Sequence, residues 1–396
     1  MSLIRRRTRR GFPRTRHFLG RFRKSTEASV TQGNLVELFP DGGAFFPSFF
    51  ASLQTAQRTI SLEFYIIRDD AIGQQMAELL VDAVRRGVTV SLLYDYIGSF
   101  ETMSAFFRRL EEAGVTCRAF NPPPFRRGLG WFDKRDHRKI AVIDGTMAFA
   151  GGMNIGDEYA GFGEDRQRWR DVGIRITGPA VLELQRLFCE NWADETGANP
   201  AGCDRIPSRL PQGGDATVHI VSGGPHHTRS FIRNAFRLAI AGASRSITIA
   251  NPYFVPGPRL IRSLLRASRR GVRIRLILPA VNDVPLVRLV SRSTYSSLLR
   301  AGIEIYEREG TVLHAKVMSI DGCWSIIGSA NLDQRSFHRN FEVNLIVDSR
   351  AFGCQVDVML GMDLAKSKRV ILEEHERRGW LIRMLERLCS PISWFL

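Results

Sequence analysis

The sequence lacks any long apolar segment. No run of about 18 or more apolar residues occurs in the 396 residues, so no single helix is expected to cross a bilayer. A secretory signal is not expected either, because Gly11, Pro13, Arg14 and Arg16 interrupt the segment that follows the basic start. These absences favour a protein of the cytoplasmic compartment.

Cysteine is scarce and never occurs in closely spaced pairs. The six cysteines are Cys117, Cys189, Cys203, Cys323, Cys354 and Cys389. A zinc module needs closely spaced pairs and a small disulfide-stabilised domain needs many cysteines, so neither is predicted. We expect most of the thiols to be reduced and buried.

Acidic residues are fewer than basic ones, and the excess of positive charge is concentrated at one end. The formal net charge is +16, and residues 1–24 hold ten Arg and Lys and no acidic residue, which leaves +6 for the rest of the chain. A general nucleic-acid binder is usually basic over a whole face, so this distribution argues against one. We expect a disordered basic arm that binds anionic lipid headgroups, at about 1 kcal/mol per residue near the surface.

Length and composition predict a folded chain with two cores. The content of 44% hydrophobic and 24% charged residues is typical of globular proteins, and 396 residues suffice for two domains of about 200 residues. Two segments also repeat the same order of features, which indicates an internal duplication. The matching stretches are 56–67, 85–95, 111–120 and 136–154 in the first half, and 243–255, 269–279, 299–307 and 313–331 in the second.

Each half alternates short β-branched or apolar runs with amphipathic helical patterns. Met76, Leu79, Leu80 and Ala83, for example, fall on one face of a helix. The alternation predicts an α/β fold, and the duplication predicts two sheets related by a pseudo-twofold axis. We place a basic arm at residues 1–30, a first domain at 31–205 and a second at 206–396, with a Pro- and Gly-rich linker at about 197–214.

One motif occurs twice at identical spacing: His-x-Lys-x-x-x-x-Asp, then six residues, then Gly-x-x-Asn. It comprises His137, Lys139, Asp144, Gly151 and Asn154 in the first half, and His314, Lys316, Asp321, Gly328 and Asn331 in the second. A single His-x-Lys pair is most simply explained as a hydrogen-bonded histidine and a solvated lysine at a strand end. The recurrence makes a functional site the stronger interpretation.

Strand geometry predicts how each motif is arranged. Side chains two apart share a face of a strand, so the histidine and the lysine should project together. The Asp-Gly pair that follows is typical of a two-residue type I′ hairpin turn. Without a bulge, residue 143 would face 146 and residue 320 would face 323, so that His137 faces Gly152 and His314 faces Ser329. Asn154 and Asn331 would then fall on the same face of the neighbouring strand.

Two such patches across a twofold interface suit phosphodiester chemistry. A neutral histidine can attack phosphorus to form a phosphohistidine, while a protonated one donates to the leaving oxygen. Lysines and asparagines can stabilise the equatorial oxygens, a task that often falls to a metal, so no metal and no other cofactor is expected. We assign a catalytic set of His137, Lys139, Asp144, His314, Lys316 and Asp321, in which both aspartates should organise the hairpins rather than touch substrate.

A second group of residues is expected to support this set. An attacking imidazole needs a carboxylate to fix its tautomer, and Asp171 and Glu342 stand at similar places after the two motifs. A surface ion pair would explain either acid almost as well, and the sequence does not say which acid serves which histidine. Asn154, Asn331 and Ser329 complete the substrate-binding and supporting residues. Gly152 stands where the second copy has Ser329, so the two half-sites are chemically unequal.

The paired motifs resemble those of the phospholipase D superfamily, and further stretches resemble bacterial cardiolipin synthases. These stretches are NPYFVP at 251–256, RRGVRIRLILP at 269–279 with Asn282 and Asp283, and GSANLDQRSF at 328–337 with Phe341 and Glu342. The resemblance covers nearly everything from Gly33 onward. It implies two similar α/β/α sandwich domains of the phospholipase D type, related by pseudo-twofold symmetry, with the active site at their interface.

The resemblance also implies a reaction and its roles. It makes His137 the nucleophile and His314 the acid and base in the transfer of a phosphatidyl group from phosphatidylglycerol to a second phosphatidylglycerol, with release of glycerol. Phosphatidylethanolamine, glycerol and water remain possible acceptors. A nuclease or phosphodiesterase using the same histidines is the alternative enzyme, and a non-catalytic membrane scaffold is the alternative from another class.

The chain differs from many members of that family by having an arginine-rich arm in place of N-terminal transmembrane helices. We therefore expect peripheral attachment to the cytoplasmic face of the bacterial membrane, through anionic phospholipid, and no nucleic-acid partner. Near the other end, Trp380, Leu381, Met384, Leu385 and Leu388 share one helical face, before Trp394, Phe395 and Leu396. That helix and the loop at 121–135 could pack on the core or lie in a membrane interface.

Overall fold

The two halves of the chain build one continuous sheet with helices on both faces. The computed structural model describes residues 16–123, 128, 132–161, 168–203, 207–225 and 230–389. Several residues on which the sequence analysis comments lie outside these ranges: Phe125, Arg126, Arg127, Trp131, Trp394, Phe395 and Leu396.

The first half contains α1 (Arg16–Thr26), β1 (Ser29–Phe39), α2 (Gly42–Thr55), β2 (Thr59–Phe64), α3 (Ala71–Arg85), β3 (Thr89–Asp95), α4 (Ser104–Glu112), β4 (Thr116–Phe120), β5 (Lys139–Ile143), β6 (Met147–Gly151), a 3-10 turn (Asp157–Tyr159), β7 (Trp169–Arg170), β8 (Gly173–Thr177) and α5 (Ala180–Thr196). The second half contains β9 (Ala216–Gly223), α6 (Phe231–Gly242), β10 (Ser246–Ala250), α7 (Gly257–Arg269), β11 (Arg273–Pro279), α8 (Pro285–Ser293), α9 (Tyr295–Arg300), β12 (Glu304–Arg308), β13 (Val312–Leu313), β14 (Val317–Ile320), β15 (Trp324–Gly328), α10 (Gln334–His338), β16 (Glu342–Asp348), α11 (Arg350–Ala365), β17 (Ser367–Arg369), α12 (Leu372–Glu376) and α13 (Trp380–Cys389).

The order of strands confirms the α/β fold with two similar halves. The first half runs β4-β3-β2-β5-β6-β8-β1 and the second runs β12-β11-β10-β14-β15-β16-β9, so corresponding strands take corresponding places. The prediction of two separate sheets is wrong, because β1 pairs with β9 at Ser29–Asn34 and with β8 at Leu35–Phe39. A register shift between Thr31 and Asn34 lets this one long strand join both halves.

Three cores account for the packing of the sheet. One lies between the first half-sheet and α2, α3 and α4, and a second lies between the second half-sheet and α1, α6 and α7. The third is shared by both halves beneath α5 and α11. The face predicted for α3 is confirmed, since Met76, Leu80 and Ala83 are buried and Leu79 is half-buried. α5 ends at Thr196 and β9 begins at Ala216, and the domain boundary at residues 205 and 206 stays a prediction.

The basic N-terminal segment is partly helical. The prediction of a disordered arm is wrong for residues 16–26, which form α1, whereas residues 1–15 lie outside the described residues. Phe22 is fully buried and packs edge-on against Trp324, with ring centroids 5.5 Å apart. Burial of this aromatic face holds α1 against the second half, while Arg21, Arg23 and Lys24 remain exposed.

Both Asp-Gly pairs form the left-handed turns that the sequence predicts, but the strand register is displaced by one residue. Asp144 and Asp321 have φ of +54° and +55°, and each following glycine is also left-handed. Ile143 pairs with Met147, and Ile320 with Trp324. The predicted pairings of 143 with 146, 320 with 323, His137 with Gly152 and His314 with Ser329 are therefore wrong. The residue after each glycine, Thr146 or Cys323, stays outside the strand pairing. Its N–H closes the turn by donating to the carbonyl of Ile143 or Ile320.

The turn aspartates tie each hairpin to a neighbouring strand. The carboxylate of Asp144 accepts hydrogen bonds from the backbone N–H of Arg58 (2.7 Å) and Thr59 (3.0 Å), at the start of β2. The carboxylate of Asp321 accepts from Arg245 (2.7 Å) and Ser246 (2.9 Å), at the start of β10. Each aspartate thus provides acceptors for backbone N–H groups that would otherwise have none where these interior strands begin.

Two further features bear on the expectations from sequence. None of the helices formed by the described residues has the length and the apolar content needed to span a bilayer. All six cysteines are free thiols, but the expectation that most are buried is wrong, since only Cys117 is buried and Cys354 is exposed.

Replacing Asp321 with alanine should lower the free energy of unfolding by about 2–4 kcal/mol, because the backbone donors at the start of β10 lose a charged acceptor. Urea unfolding measures this change. Asp82→Ala is the matched control: its carboxylate pairs only with Arg85 on the surface, and its loss should cost less than about 0.5 kcal/mol. Equal losses from the two substitutions would contradict the structural role of Asp321.

Candidate active site

Both motif histidines line one cavity between the halves. The cavity measures about 480 Å³, and its wall includes His137, Asn154, His314 and Asn331, so the structure brings together the imidazoles and carboxamides that the motifs predicted. The remaining lining residues also come from both halves: Tyr65, Ile66, Ile97, Arg135, Tyr159, Trp169, Tyr253, Val255, Asp283, Val284, Val287, Asp333, Arg335, Ser336 and Asn340.

Backbone hydrogen bonds between the halves hold each histidine in place. The N–H of His137 donates to the carbonyl of Phe341 (2.9 Å), next to Glu342 in the second half. The N–H of His314 donates to the carbonyl of Arg170 (2.8 Å), next to Asp171 in the first half. The short strands β7 and β13 pair in parallel at the same place. Each histidine is therefore aligned with the segment of the other half that supplies an acid.

The two candidate carboxylates pair with the histidines crosswise. Nδ1 of His137 lies 3.1 Å from Oε2 of Glu342, and Nδ1 of His314 lies 2.6 Å from Oδ2 of Asp171. A carboxylate at Nδ1 favours the tautomer with its proton there and leaves Nε2 free. Asp171 and Glu342 are almost fully buried, so the surface ion pair that could have explained them does not apply. The sequence did not say which acid serves which histidine. In the structure each histidine binds the acid from the other half.

Both motif lysines are buried directly beside the histidines but do not line the empty cavity. Nζ of Lys139 donates to the carbonyl of His137 (2.7 Å) and lies 5.0 Å from the centroid of the Tyr65 ring. Nζ of Lys316 donates to the carbonyl of His314 and lies 3.5 Å from Oδ2 of Asp171. Nζ of Lys316 is also 2.7 Å from Nδ1 of His314, but a proton on Nδ1, donated to Asp171, leaves the carbonyl as the acceptor for the lysine.

Burial determines the protonation of the bases. It lowers the pKa of His137 to about 4, against the opposing attraction of Glu342. It also lowers the pKa of Lys139 to about 7, and it lowers the pKa of His314 and of Lys316. Both imidazoles are therefore neutral at pH 7, which is the form that an attacking nitrogen requires.

The acids of the site remain ionised despite their burial. Burial raises the pKa of Glu342, but the nearby His137 and Lys139 outweigh it, so the net pKa is lowered. Burial likewise raises the pKa of Asp171, and Lys316 together with the nearby imidazole reverses the shift. A hydrogen bond from a neutral imidazole and a lysine ammonium nearby make each of these buried carboxylates tolerable.

The two asparagines occupy equivalent places with different partners. The amide of Asn154 accepts from the N–H of Ile66 (3.1 Å) and donates to the hydroxyl of Tyr159 (2.8 Å). The backbone N–H of Asn331 donates to Oγ of Ser336 (3.2 Å), and its buried Oδ1 has no hydrogen-bond partner among the described residues. The Asn154 side chain is thus held by protein groups, whereas that of Asn331 is less tied and lies against the cavity.

The difference between Gly152 and Ser329 has a steric reason. A Cβ atom at Gly152 would lie 2.1 Å from Oδ1 of Asp171, so only glycine leaves room for that carboxylate. At the other site Ser329 is accommodated beside the second acid, because its hydroxyl donates to Oε2 of Glu342 and accepts from the N–H of Val343 (3.0 Å). Gly152 thus leaves room for Asp171, and Ser329 forms a hydrogen bond with Glu342.

Sequence reasoning missed the aromatic walls of the cavity. The ring of Tyr65 lies 4.9 Å from that of His137, and the rings of Trp169 and Tyr159 lie 4.9 Å and 5.7 Å from that of His314, measured between centroids. Tyr65 follows a buried strand and Trp169 lies two residues before the predicted acid, which are weak signals on their own. These rings restrict how far each imidazole can turn.

Acidic residues near the cavity were also missed or left without a role. Burial raises the pKa of Asp333 to about 7, and its carboxylate accepts from the N–H of Ser336 (2.7 Å) at the start of α10. Asp283 accepts a hydrogen bond from the hydroxyl of Tyr253 at the cavity rim. Both residues belong to stretches that resemble the bacterial enzymes named above, and this resemblance could have indicated that they lie near the site.

Asp144 and Asp321 lie outside the cavity wall and bind backbone N–H groups at the hairpin turns. Their place in the catalytic set is therefore corrected to a structural one, as their turn positions indicated. Among the described residues, no three His, Cys, Asp or Glu side chains converge in a way that could hold a metal ion.

Comparisons with known proteins agree on the family. The family model described as cardiolipin synthase, PLD-like domain, matches residues 49–192 and 237–363. The cardiolipin synthase of Geobacillus kaustophilus (strain HTA426) is 37% identical over 373 residues, covering 92% of this chain and 73% of the relative. Cardiolipin synthase A of Pseudomonas entomophila (strain L48) is 36% identical over 367 residues, covering 91% of this chain and 75% of the relative.

The fold has a solved counterpart at low sequence identity. The crystal structure of phosphatidylserine synthase from Haemophilus influenzae Rd KW20 covers 96% of this chain and 98% of its own, with a TM-score of 0.69 and 13% identity. At that identity the similarity concerns the fold, and it agrees with two joined halves over nearly the whole chain.

Gly152→Ser should lower kcat for phosphodiester turnover between about 100-fold and 10,000-fold, because the added Cβ displaces Asp171 from His314 and the imidazole loses its orienting carboxylate. The reciprocal Ser329→Gly removes the hydroxyl contacts to Glu342 and to the N–H of Val343 and should cost less than about tenfold. Turnover is compared per folded molecule, with thermal unfolding as the check on folding. A larger loss in Ser329→Gly would contradict this account of the two positions.

Proposed function

This chain belongs to the cardiolipin synthase family with phospholipase D-like domains, and we propose that it transfers a phosphatidyl group from phosphatidylglycerol to a second phospholipid or to glycerol. The observation that carries the proposal is one cavity with two histidines, each bound at Nδ1 to a carboxylate from the opposite half. That arrangement leaves two imidazole Nε2 atoms available to one phosphodiester.

In the first step His137 is the nucleophile. Its neutral Nε2 attacks phosphorus, a nitrogen–phosphorus bond forms, and the bond from phosphorus to the glycerol headgroup oxygen breaks. His314, in its imidazolium form, donates its proton to that oxygen and becomes neutral. The products of this half-reaction are free glycerol and a phosphatidyl group held on His137.

In the second step His314 acts as the base. It removes the proton from the hydroxyl of the acceptor as that oxygen attacks phosphorus, and the nitrogen–phosphorus bond to His137 breaks. His314 is again protonated and His137 again neutral, so the cycle closes. With phosphatidylglycerol as acceptor the product is cardiolipin.

The division of roles is supported by the two carboxylate contacts. His314 approaches Asp171 to 2.6 Å, whereas His137 lies 3.1 Å from Glu342. A shorter contact to a carboxylate stabilises the charged imidazolium more, although burial and Lys316 outweigh Asp171 and lower the pKa of His314 until a phosphodiester binds. The pKa of His137, lowered to about 4 by burial, keeps the nucleophile neutral.

Four side chains are proposed to stabilise the charge that grows on the equatorial oxygens. Lys139 and Lys316 supply positive charge beside the histidines, and Asn154 and Asn331 supply amide donors at the cavity wall. The anionic phosphodiester in turn favours the protonated forms of its neighbours. Substrate binding thus provides the negative charge that lets His314 hold a proton in a buried site.

Attachment to the membrane is proposed to be peripheral and at the cytoplasmic face of a bacterial membrane. The exposed cationic side chains of α1, Arg21, Arg23 and Lys24, support contact with anionic headgroups. Such contact would bring the enzyme to the surface where phosphatidylglycerol resides.

Purified protein mixed with vesicles that contain phosphatidylglycerol should release glycerol and form cardiolipin in equal amounts. His137→Ala and His314→Ala should each lower this turnover at least about 1,000-fold, because each removes a group that forms or breaks a bond. With phosphatidylglycerol labelled at phosphorus, the wild-type chain should acquire an acid-labile, alkali-stable label, and His137→Ala should not.

His338→Ala is the control for these variants, since its ring contacts Arg233 and does not line the cavity. It should retain activity and labelling. Cleavage of nucleic acid without lipid turnover would replace the proposal by the nuclease alternative, and a label that persists in His137→Ala would assign the nucleophile elsewhere.

The pH dependence of kcat/KM should be bell-shaped, with an acid limb near pH 4 and an alkaline limb to which His314 and Lys139 both contribute. The pKa of His137 is about 4, so its neutral form is lost as the pH falls through that value. The pKa of His314 is lowered from its ordinary value, so the proton that it donates is lost first as the pH rises, and the charge of Lys139 is lost near its pKa of about 7. Lys139→Arg, whose charge persists at every pH used, should make the alkaline limb shallower without removing it. A kcat/KM that rises steadily from pH 7 to 9 would contradict both assignments.

A further inference from the structure

The C-terminal helix α13 packs with its polar side inward and its apolar side outward. Glu386 is only 3% exposed, whereas Trp380, Leu381, Leu385 and Leu388 are between 48% and 65% exposed. An amphipathic helix on a soluble protein normally buries its apolar face against the core. The inverted orientation of α13 therefore requires an explanation.

Ion pairs hold α13 in this orientation. The carboxylate of Glu386 pairs with the guanidinium of Arg378, at 2.5 Å and 3.1 Å, and lies 3.9 Å from Nε of Arg292 on α8. Arg378 also donates to the carbonyl of His375 (2.7 Å). These contacts fix the inward face of the helix on the body of the protein, so its row of large apolar side chains faces away from the body.

α13 is continuous with the wall of the catalytic cavity. Cys389, at its end, packs in a small apolar cluster with Val255, Val287 and Val290. Val255 and Val287 also line the cavity that contains both histidines. The end of α13 thus packs against residues that line the active-site cavity.

Two loops that contribute residues to the cavity wall expose further apolar side chains. After β3, Ile97 lines the cavity, and Phe100 and Met103 nearby are 69% and 68% exposed. After β11, Val284 lines the cavity and neighbouring Val281 is exposed. We call these exposed side chains the apolar rim: Phe100, Met103, Val281, Val284, Trp380, Leu381, Met384, Leu385 and Leu388.

We propose that the apolar rim docks on an anionic phospholipid bilayer, with the opening of the cavity facing the lipid. The proposal rests on the function proposed above and names the surface through which the substrate enters. A protein partner seated on the rim would cover the opening, whereas a bilayer supplies its substrate there. Exposed tryptophan and leucine beside Arg383 are the side chains that an interfacial helix on anionic lipid uses.

The proposal is tested by comparing the vesicle binding of a variant with three substitutions on α13 and of a control variant. The test variant contains Leu381→Glu, Leu385→Glu and Leu388→Glu, which place charge on the outward face without touching the ion pairs of α13. The control contains Val358→Glu and Met362→Glu, two exposed apolar positions of similar exposure on α11. Binding is measured by flotation with vesicles of equal parts phosphatidylglycerol and phosphatidylcholine, and turnover is measured on these vesicles and on monomeric short-chain phosphatidylglycerol.

The test variant should bind vesicles at least tenfold more weakly, and its ratio of vesicle turnover to short-chain turnover should fall at least tenfold, while both values stay unchanged in the control. Vesicle binding equal to that of the wild-type chain would overturn the proposal. If the wild-type chain proves to be a dimer in sedimentation velocity and the test variant a monomer with unchanged vesicle binding, a second copy would be the occupant of the rim.

The two proposals fail in different ways. If the wild-type chain lacks turnover on both forms of lipid, the proposed function fails, and the comparison of vesicle binding still decides whether the apolar rim meets the bilayer. If turnover on short-chain lipid is normal and vesicle binding does not depend on the rim, only the docking surface fails.

Discussion

The exchange of carboxylates between the two halves is the interaction on which the rest of the site depends. Each histidine belongs to one half, and the acid at its Nδ1 belongs to the other. A buried carboxylate is costly without a charged or hydrogen-bonded partner, so neither half could keep its acid ionised alone. The continuous sheet through β1 and β9 and the pairing of β7 with β13 hold the halves at the spacing that these contacts require.

The four charged groups that directly flank the histidines offset one another, which lessens the cost of burying them. Lys139 and Lys316 oppose Asp171 and Glu342 when both imidazoles are neutral. A bound phosphodiester would add one negative charge, which favours a proton on His314. Lys139, with a pKa of about 7, is the group of this set whose charge is most easily lost near neutrality.

Much of the site could be predicted from the sequence because the motif is short and repeated. The spacing predicted which imidazoles and carboxamides share a cavity, and Asp-Gly predicted the left-handed turns. The register could not be predicted, since the residue after each glycine can stay in the ladder or leave it at little difference in local preference. The crosswise pairing depends on contacts between segments far apart in the chain, which no local pattern encodes. For α13, periodicity identified an apolar face but not the side on which the protein would place it.

The residues at positions 152 and 329 make the two half-sites differ in the donors around their acids. The hydroxyl of Ser329 donates to Glu342, which also binds His137. At the other site Gly152 offers no hydroxyl, and Asp171 accepts instead from the N–H of Val172 (2.7 Å) while it binds His314. Each acid thus has a donor besides its histidine, so the one changed side chain in the repeated motif alters which group supports the acid without removing that support.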